Sequence, residues 1–177
     1  MICKKGSVEL SVSPLVKTQL TRQIGEHLVV AELGRCNIVA TPFAGNMPIF
    51  DIVALSANSL TIYVQVKAIN KGDWQLNAKH FLNIKYNSIT KRQTITGLHI
   101  PSIDPLFLVL IKIVSRSSDD FYVIPFAKAQ ALVKANYRRK SGKSTHFALR
   151  QTMVTQFKVT SLADVFSTAE DRFSGAE

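Results

Sequence analysis

Acidic residues are scarce in this chain. Twelve Asp and Glu stand against 22 Lys and Arg in 177 residues, a formal net charge of +10 with a pI near 9.8. That balance argues against cationic partners and for a polyanion, with nucleic acid ahead of an anionic membrane surface. Cysteine is almost absent too. Cys3 and Cys36 make no metal-ligand pattern and give weak grounds for a disulfide, so they read as free thiols of a reducing compartment. A long apolar run is also missing. The longest, residues 106–111, is far too short to span a bilayer, and no apolar h-region follows the basic start MICKKGSVEL. The expected location is therefore the cytoplasm, with no membrane embedding.

What is present suits a globular chain. Hydrophobic residues make up 46%, and the length suits one domain over 1–177 with a substantial core. Residues 1–13 read as a loose lead-in, with a short edge strand expected at 7–12. Residues 168–177 read as a flexible acidic tail. No internal repeat or break in composition marks a second domain.

Ser13 and Pro14 form a helix start. Apolar residues at Leu20, Ile24, Leu28 and Ala31, beside Val16, His27 and Val30, predict a helix over 15–33 that ends at Gly34 and Arg35. Glu26 flanks its apolar face, and Gly25 interrupts it at a modest cost. Three strands should follow, at 36–41 (CNIVAT), 49–55 (IFDIVAL) and 60–68 (LTIYVQVKA), as an antiparallel meander packed on the helix. In the third, alternation sets Tyr63, Gln65 and Lys67 on one face and Ile62, Val64 and Val66 on the other.

Residues 69–100 carry Lys71, Lys79, Lys85, Lys91, Arg92, His80 and His99 against the single acid Asp73, interleaved with Trp74, Phe81 and Tyr86. A helix is expected there at 76–84. Two strands of a sheet interior should follow at 105–114 and 121–125, then a helix over 126–137. From Lys134 to Arg150 there are six Lys and Arg and no acid, whereas 161–177 reverses sign and holds a short expected helix at 162–166.

The chemistry gathers in residues 25–67. Asp51 lies inside an apolar run, where a charge is costly unless paired or metal-bound. Asp51 in one strand and Gln65 in the next can bring two oxygens together, with Glu26 reaching in from the helix. Oxygen donors with a carboxylate suit Mg²⁺ or Mn²⁺. Lys67 is then set to act on a water or a phosphoryl oxygen. Taken singly, each residue has an ordinary explanation: Glu26 on a helix surface, Asp51 as a hairpin acid, Gln65 and Lys67 on a solvated strand. Their order, spacing and element type agree, and that agreement is the argument for a site.

The same constellation resembles the PD-(D/E)XK nuclease superfamily, closely over residues 14–68 and in outline beyond. Glu26 in GEHLVVAELG matches the helix Glu, in a pattern similar to that of Holliday-junction resolvases. Asp51 in PIFDIVAL matches the second-strand acid, and Gln65-Val66-Lys67 the third-strand motif. The resemblance implies an α/β fold with a restriction-endonuclease-like core: an N-terminal helix, a three-stranded meander, then further helix and strands in a mixed sheet. It also implies a metal-dependent DNA endonuclease of restriction, homing or junction-resolving type. Glu26, Asp51 and Gln65 would bind Mg²⁺, with Mn²⁺ substituting, and Lys67 would assist the water. Two departures stand out. Pro48 lies three residues before Asp51 instead of next to it, and Gln65 replaces an acid, as in a homing endonuclease of this fold.

Lys71, Trp74, Lys79, His80, Lys85, Arg138, Arg139, Lys140 and Lys143 are the expected contacts to nucleic acid, with core packing an equal alternative to base stacking for Trp74 and for Tyr63. Double-stranded or branched DNA cut on both strands implies a homodimer or homotetramer. An inactive DNA-binding or assembly protein that keeps the fold, and an RNA-directed nuclease, stay open at this point.

Overall fold

A computed structural model describes residues 13–43, 49–55, 59–114, 118–137 and 141–163. Helix α1, Pro14–Arg35, begins where Ser13 accepts the Val16 N–H and Pro14 takes the first turn. Its packed face is not the expected stripe. Leu20 and Ile24 are about half exposed, and the buried positions are Gly25, Val29 and Leu33. The reason is steric. A Cβ on Gly25 would lie 2.4 Å from the Cβ of Ala68, so the helix meets the sheet where it carries no side chain.

Three strands follow, β1 (Val39–Pro42), β2 (Ile52–Leu55) and β3 (Thr61–Ile69), paired as the expected antiparallel meander. The first two are shorter than the sequence suggests. Asn37 has φ 60°, which delays β1, and Asp51 lies in a bend just before β2 instead of within it. Next come β4 (Trp74–Asn77), a 3-10 turn at Ala78–His80, β5 (Leu82–Asn87) and β6 (Arg92–Leu98). The helix expected over 76–84 is therefore absent. Trp74 and Leu76 bury alternate side chains, and β4 finds a partner in β9, far along the chain. Tertiary pairing overrides a weak local preference there.

The remaining elements are β7 (Leu106–Lys112), β8 (Asp120–Pro125), α2 (Phe126–Asn136), β9 (His146–Leu149) and β10 (Lys158–Val159). Six strands form one mixed sheet in the order β1-β2-β3-β7-β8-β10, with β3 and β7 parallel and the other pairs antiparallel. The expected α/β class with a mixed sheet is observed. Every residue of Leu106–Ile111 is buried, because the strand has cover on both faces. Phe107, Val109 and Ile111 join Val29 and Leu33 beneath α1. Leu106, Leu108 and Leu110 join Phe126, Ala129 and Val133 of α2, with Trp74 and Phe81, on the other side. Two small ribbons, β4–β9 and β5–β6, lie outside the main sheet. The lead-in strand, residues 164–166 of the expected short helix and the acidic tail 168–177 fall outside the described residues; Leu162 and Ala163 form a turn.

Candidate active site

Strand pairing gathers the predicted residues. Ile52 pairs with Val64 and Val53 with Tyr63, and Asp51, one residue before β2, hydrogen-bonds to Val64 and Val66, the residues on either side of Gln65. Ile62, Val64 and Val66 pack under α1, while Tyr63 packs on the opposite side of the sheet. Tyr63, Gln65 and Lys67 therefore share the face the alternation predicts.

Asp51 takes over part of the ladder where β2 leaves β3. Its N–H donates to the Val64 carbonyl at 2.8 Å, and its Oδ2 accepts the Val66 N–H at 2.8 Å. One carboxylate oxygen thus does the work of a strand carbonyl and fixes the side chain. Burial pushes the Asp51 carboxyl above the usual carboxylate range. The Val66 N–H and the Lys67 charge pull it down, and the Glu26 charge pushes it further up. Glu26 and Lys67 are thus electrostatic neighbours of Asp51, from a helix on one side of the sheet and a strand facing the other.

Glu26 is mostly covered, its side chain 13% exposed, and its Oε1 accepts from Arg22 Nε at 2.8 Å. That hydrogen bond raises the Arg22 pKa, and the guanidinium also favours the ionised form of Asp51. Sequence reasoning passed over Arg22. The signal was there: it stands four residues before Glu26 on one helix, the spacing at which opposite charges meet.

Gln65, 6% exposed, opens on a second space. With Ile49, Lys79, His80, His99 and Phe126 it lines a cavity of about 300 Å³. Burial, and then the Lys67 charge, hold His80 below the ordinary histidine range; His99 and His146 add to the effect. The Lys67 charge thus acts on both Asp51 and His80. His99 is a second residue missed, brought here by the fold alone. A larger cavity, about 380 Å³, lies between α1 and the β8–β10 edge and contains none of the predicted residues.

Other expected contacts divide sharply. Lys71, Lys79, Lys85 and Lys143 are exposed and His80 is half-buried. Trp74 is fully buried, packs edge-on against Tyr122, and its Nε1 donates to the Ile111 carbonyl at 3.1 Å. It is a core residue and cannot stack on a base; a large aromatic with an indole N–H to satisfy is drawn inward. Tyr63 likewise packs on Phe50. Arg138, Arg139, Lys140 and Pro48 lie outside the described residues. Cys36 is a free, half-buried thiol, and Cys3 lies outside the described residues.

Among the described residues, no three His, Cys, Asp or Glu side chains converge as a metal centre. The candidate set has two carboxylates, and its third donor is the Gln65 amide. Also among the described residues, no helix is long and apolar enough to cross a membrane.

No protein-family model and no curated protein matches this chain. Solved structures similar to it include two nucleases. One is the bacterial homing endonuclease I-Ssp6803I, with 13% identity and a TM-score of 0.45 over 90% of this chain and 97% of that one. The other is Hjc of Archaeoglobus fulgidus, a Holliday junction resolvase, with 15% identity and a TM-score of 0.47 over 81% of this chain and 93% of that one. With both scores below 0.5, neither likeness bears on the chemistry.

Proposed function

We propose that this chain is a divalent-metal-dependent DNA endonuclease, a single catalytic domain in the cytoplasm that acts as a homodimer or homotetramer on double-stranded or branched DNA. The observation that carries the reading is the placement of Asp51, hydrogen-bonded to the residues on either side of Gln65 and near enough to Lys67 and Glu26 to feel both charges. Burial and a second carboxylate both disfavour the ionised form of Asp51. A divalent cation relieves that cost, so the donor set fits Mg²⁺ or Mn²⁺ held by Asp51, Gln65 and Glu26.

When bound, such an ion supplies Lewis-acid polarisation of a phosphoryl oxygen and a more acidic water. The chain's own side chains do the rest. The Val66 N–H holds the Asp51 carboxylate in one orientation, and Arg22 holds Glu26. Lys67 offsets charge that develops on the phosphoryl oxygens and orients the attacking water. Exposed Lys71, Lys79 and Lys143 offer cations to the phosphate backbone.

A second reading, a DNA-binding protein without cleavage, draws on a specific observation. Asp51 and Glu26 each already have a partner within the fold, and Gln65 brings no charge. The two readings part in one experiment. Plasmid, branched and single-stranded DNA are incubated with Mg²⁺ or Mn²⁺ and wild-type protein, Lys67→Ala or Asp51→Ala. Metal-dependent cutting lost in both variants supports the endonuclease. Tight binding with no cutting of any substrate sinks it in favour of the second reading.

A further inference from the structure

The ribbon β5–β6 stands outside the main sheet, and the candidate site does not use it. No Asp or Glu occurs between Asp73 and Asp104, while Lys79, Lys85, Lys91 and Arg92 all do. The register pairs Lys85 with Thr94 and Asn87 with Arg92, and all four residues are exposed. Directly paired residues share a face, so the ribbon presents two cations and two small polar groups together. The pairs between and beyond them face the other way, where Ile84 packs against the core. Asn87 Oδ1 accepts the Ile89 and Thr90 N–H groups and shapes the tip, which leaves the amide nitrogen as a donor. Ile89, at the tip, is 89% exposed.

The ribbon is held at both ends. Near the tip, Gln93 Nε2 donates to the Gly142 and Ser144 carbonyls at 2.6 and 2.9 Å, and the Gly142 N–H donates to the Lys91 carbonyl. At the root, the His99 N–H donates to the Phe81 carbonyl, and Gln130 of α2 donates to the carbonyls of both Phe81 and His99. His99 lines the cavity that Gln65 opens on, so the ribbon starts at the candidate site. Six residues of strand give it a length of about 20 Å.

We infer that this ribbon reads duplex DNA from the major groove. The inference rests on the endonuclease reading and adds the element that recognises the substrate. A major groove of about 12 Å admits a two-stranded ribbon. Arg92 and Lys85 then donate to guanine edges, the Asn87 amide and Thr94 hydroxyl serve as smaller readers, and Ile89 meets thymine methyls. Lys91 and Lys143 flank the face and meet phosphate. Duplex RNA offers no such entry, because its major groove is deep and narrow.

The test uses the full chain with Ca²⁺ replacing Mg²⁺, so that binding is read without cutting. Dimethyl sulfate footprinting on a duplex reports guanine N7 in the major groove and adenine N3 in the minor. Protection at guanine N7 is expected. Lys85→Ala with Arg92→Ala should lose it, weaken binding roughly ten-fold or more, and make the salt dependence shallower by about two charges. A duplex RNA of the same sequence should compete at least about ten-fold less well. Both substitutions are on the surface, and a thermal melt matching wild type excludes unfolding as the cause. Protection confined to adenine N3, equal competition by RNA, or a variant that binds as wild type overturns the inference. In those cases metal-dependent cutting abolished by Lys67→Ala leaves the endonuclease reading standing. No binding of nucleic acid by the wild type overturns both.

Discussion

Gly25→Ala should weaken both the fold and the activity, through one contact. The added Cβ would sit 2.4 Å from the Cβ of Ala68, with Ile111 Cδ1 at 3.5 Å and Val66 Cγ1 at 3.6 Å. Carbon atoms rest about 3.5–4.0 Å apart, so α1 and β3 must separate by roughly 1 Å. Overpacking costs about 1–3 kcal/mol, and two Cβ atoms fixed to the backbone cannot rotate aside, which sets this contact at about 2–3 kcal/mol. Alanine returns about 1 kcal/mol in helix propensity, so the net loss is on the order of 1–2 kcal/mol. For a chain of this size that lowers the melting temperature by about 2–8 °C. Glu26 is the next residue and moves with the helix. A displacement of about 1 Å at a reacting group can cost roughly 100-fold in rate. Thermal melts and single-turnover cleavage measure the two effects. Ala68→Gly removes the opposing methyl, so the double variant should regain most of what Gly25→Ala loses, a coupling of opposite sign to the single effects. An unchanged melting temperature for Gly25→Ala, or no rescue by Ala68→Gly, would refute the reasoning.

Three further outcomes follow from the site and the core. Asp51 has a folded pKa raised above its unfolded value, so its contribution to stability is complete below the unfolded carboxylate range and is lost as pH rises through the folded value. Asp51→Asn keeps an acceptor for the Val66 N–H, so chemical denaturation near pH 7 should find it at least as stable as wild type, though inactive; a variant clearly less stable there would contradict the burial argument. His80 has a lowered pKa, so the fold should lose stability as pH falls from the ordinary histidine range through the depressed value. A denaturation series in that window should flatten in His80→Gln, and parallel curves for the two proteins would count against the assignment. Trp74→Ala removes the largest fully buried side chain and should cost about 3–5 kcal/mol in denaturant titrations. A loss under about 1 kcal/mol would mean Trp74 is not the core residue described.

Much of this was legible in the sequence where period and burial agree. The alternation through β3 separates Gln65 and Lys67 from Val64 and Val66, and the sheet keeps that division because one face lies under α1. The unbroken apolar run of β7 announces cover on both faces. The helix stripe misled because apolar residues also occupy an outward face of α1, whereas Gly25 marks the inward one by what it lacks. The region after Asp73 defeated local reading altogether. Its strands pair with residues about 70 positions away in β9 or fold into a ribbon of their own, and no window of a few residues encodes such partners. Trp74 stood open between base stacking and core packing for the same reason: its cover comes from β7 and β8, which the chain supplies only later. Within the site, Arg22 was readable from helix spacing, and His99 was not.

The central claim is that Asp51, Gln65 and Glu26 together hold one divalent cation. Titration of Mn²⁺ followed by electron paramagnetic resonance, without nucleic acid, tests it on wild type, Gln65→Glu and Asp51→Asn. Replacing the amide with a third carboxylate should tighten binding, and removing the Asp51 charge should weaken it about ten-fold or more. Three superimposable titrations would contradict the account.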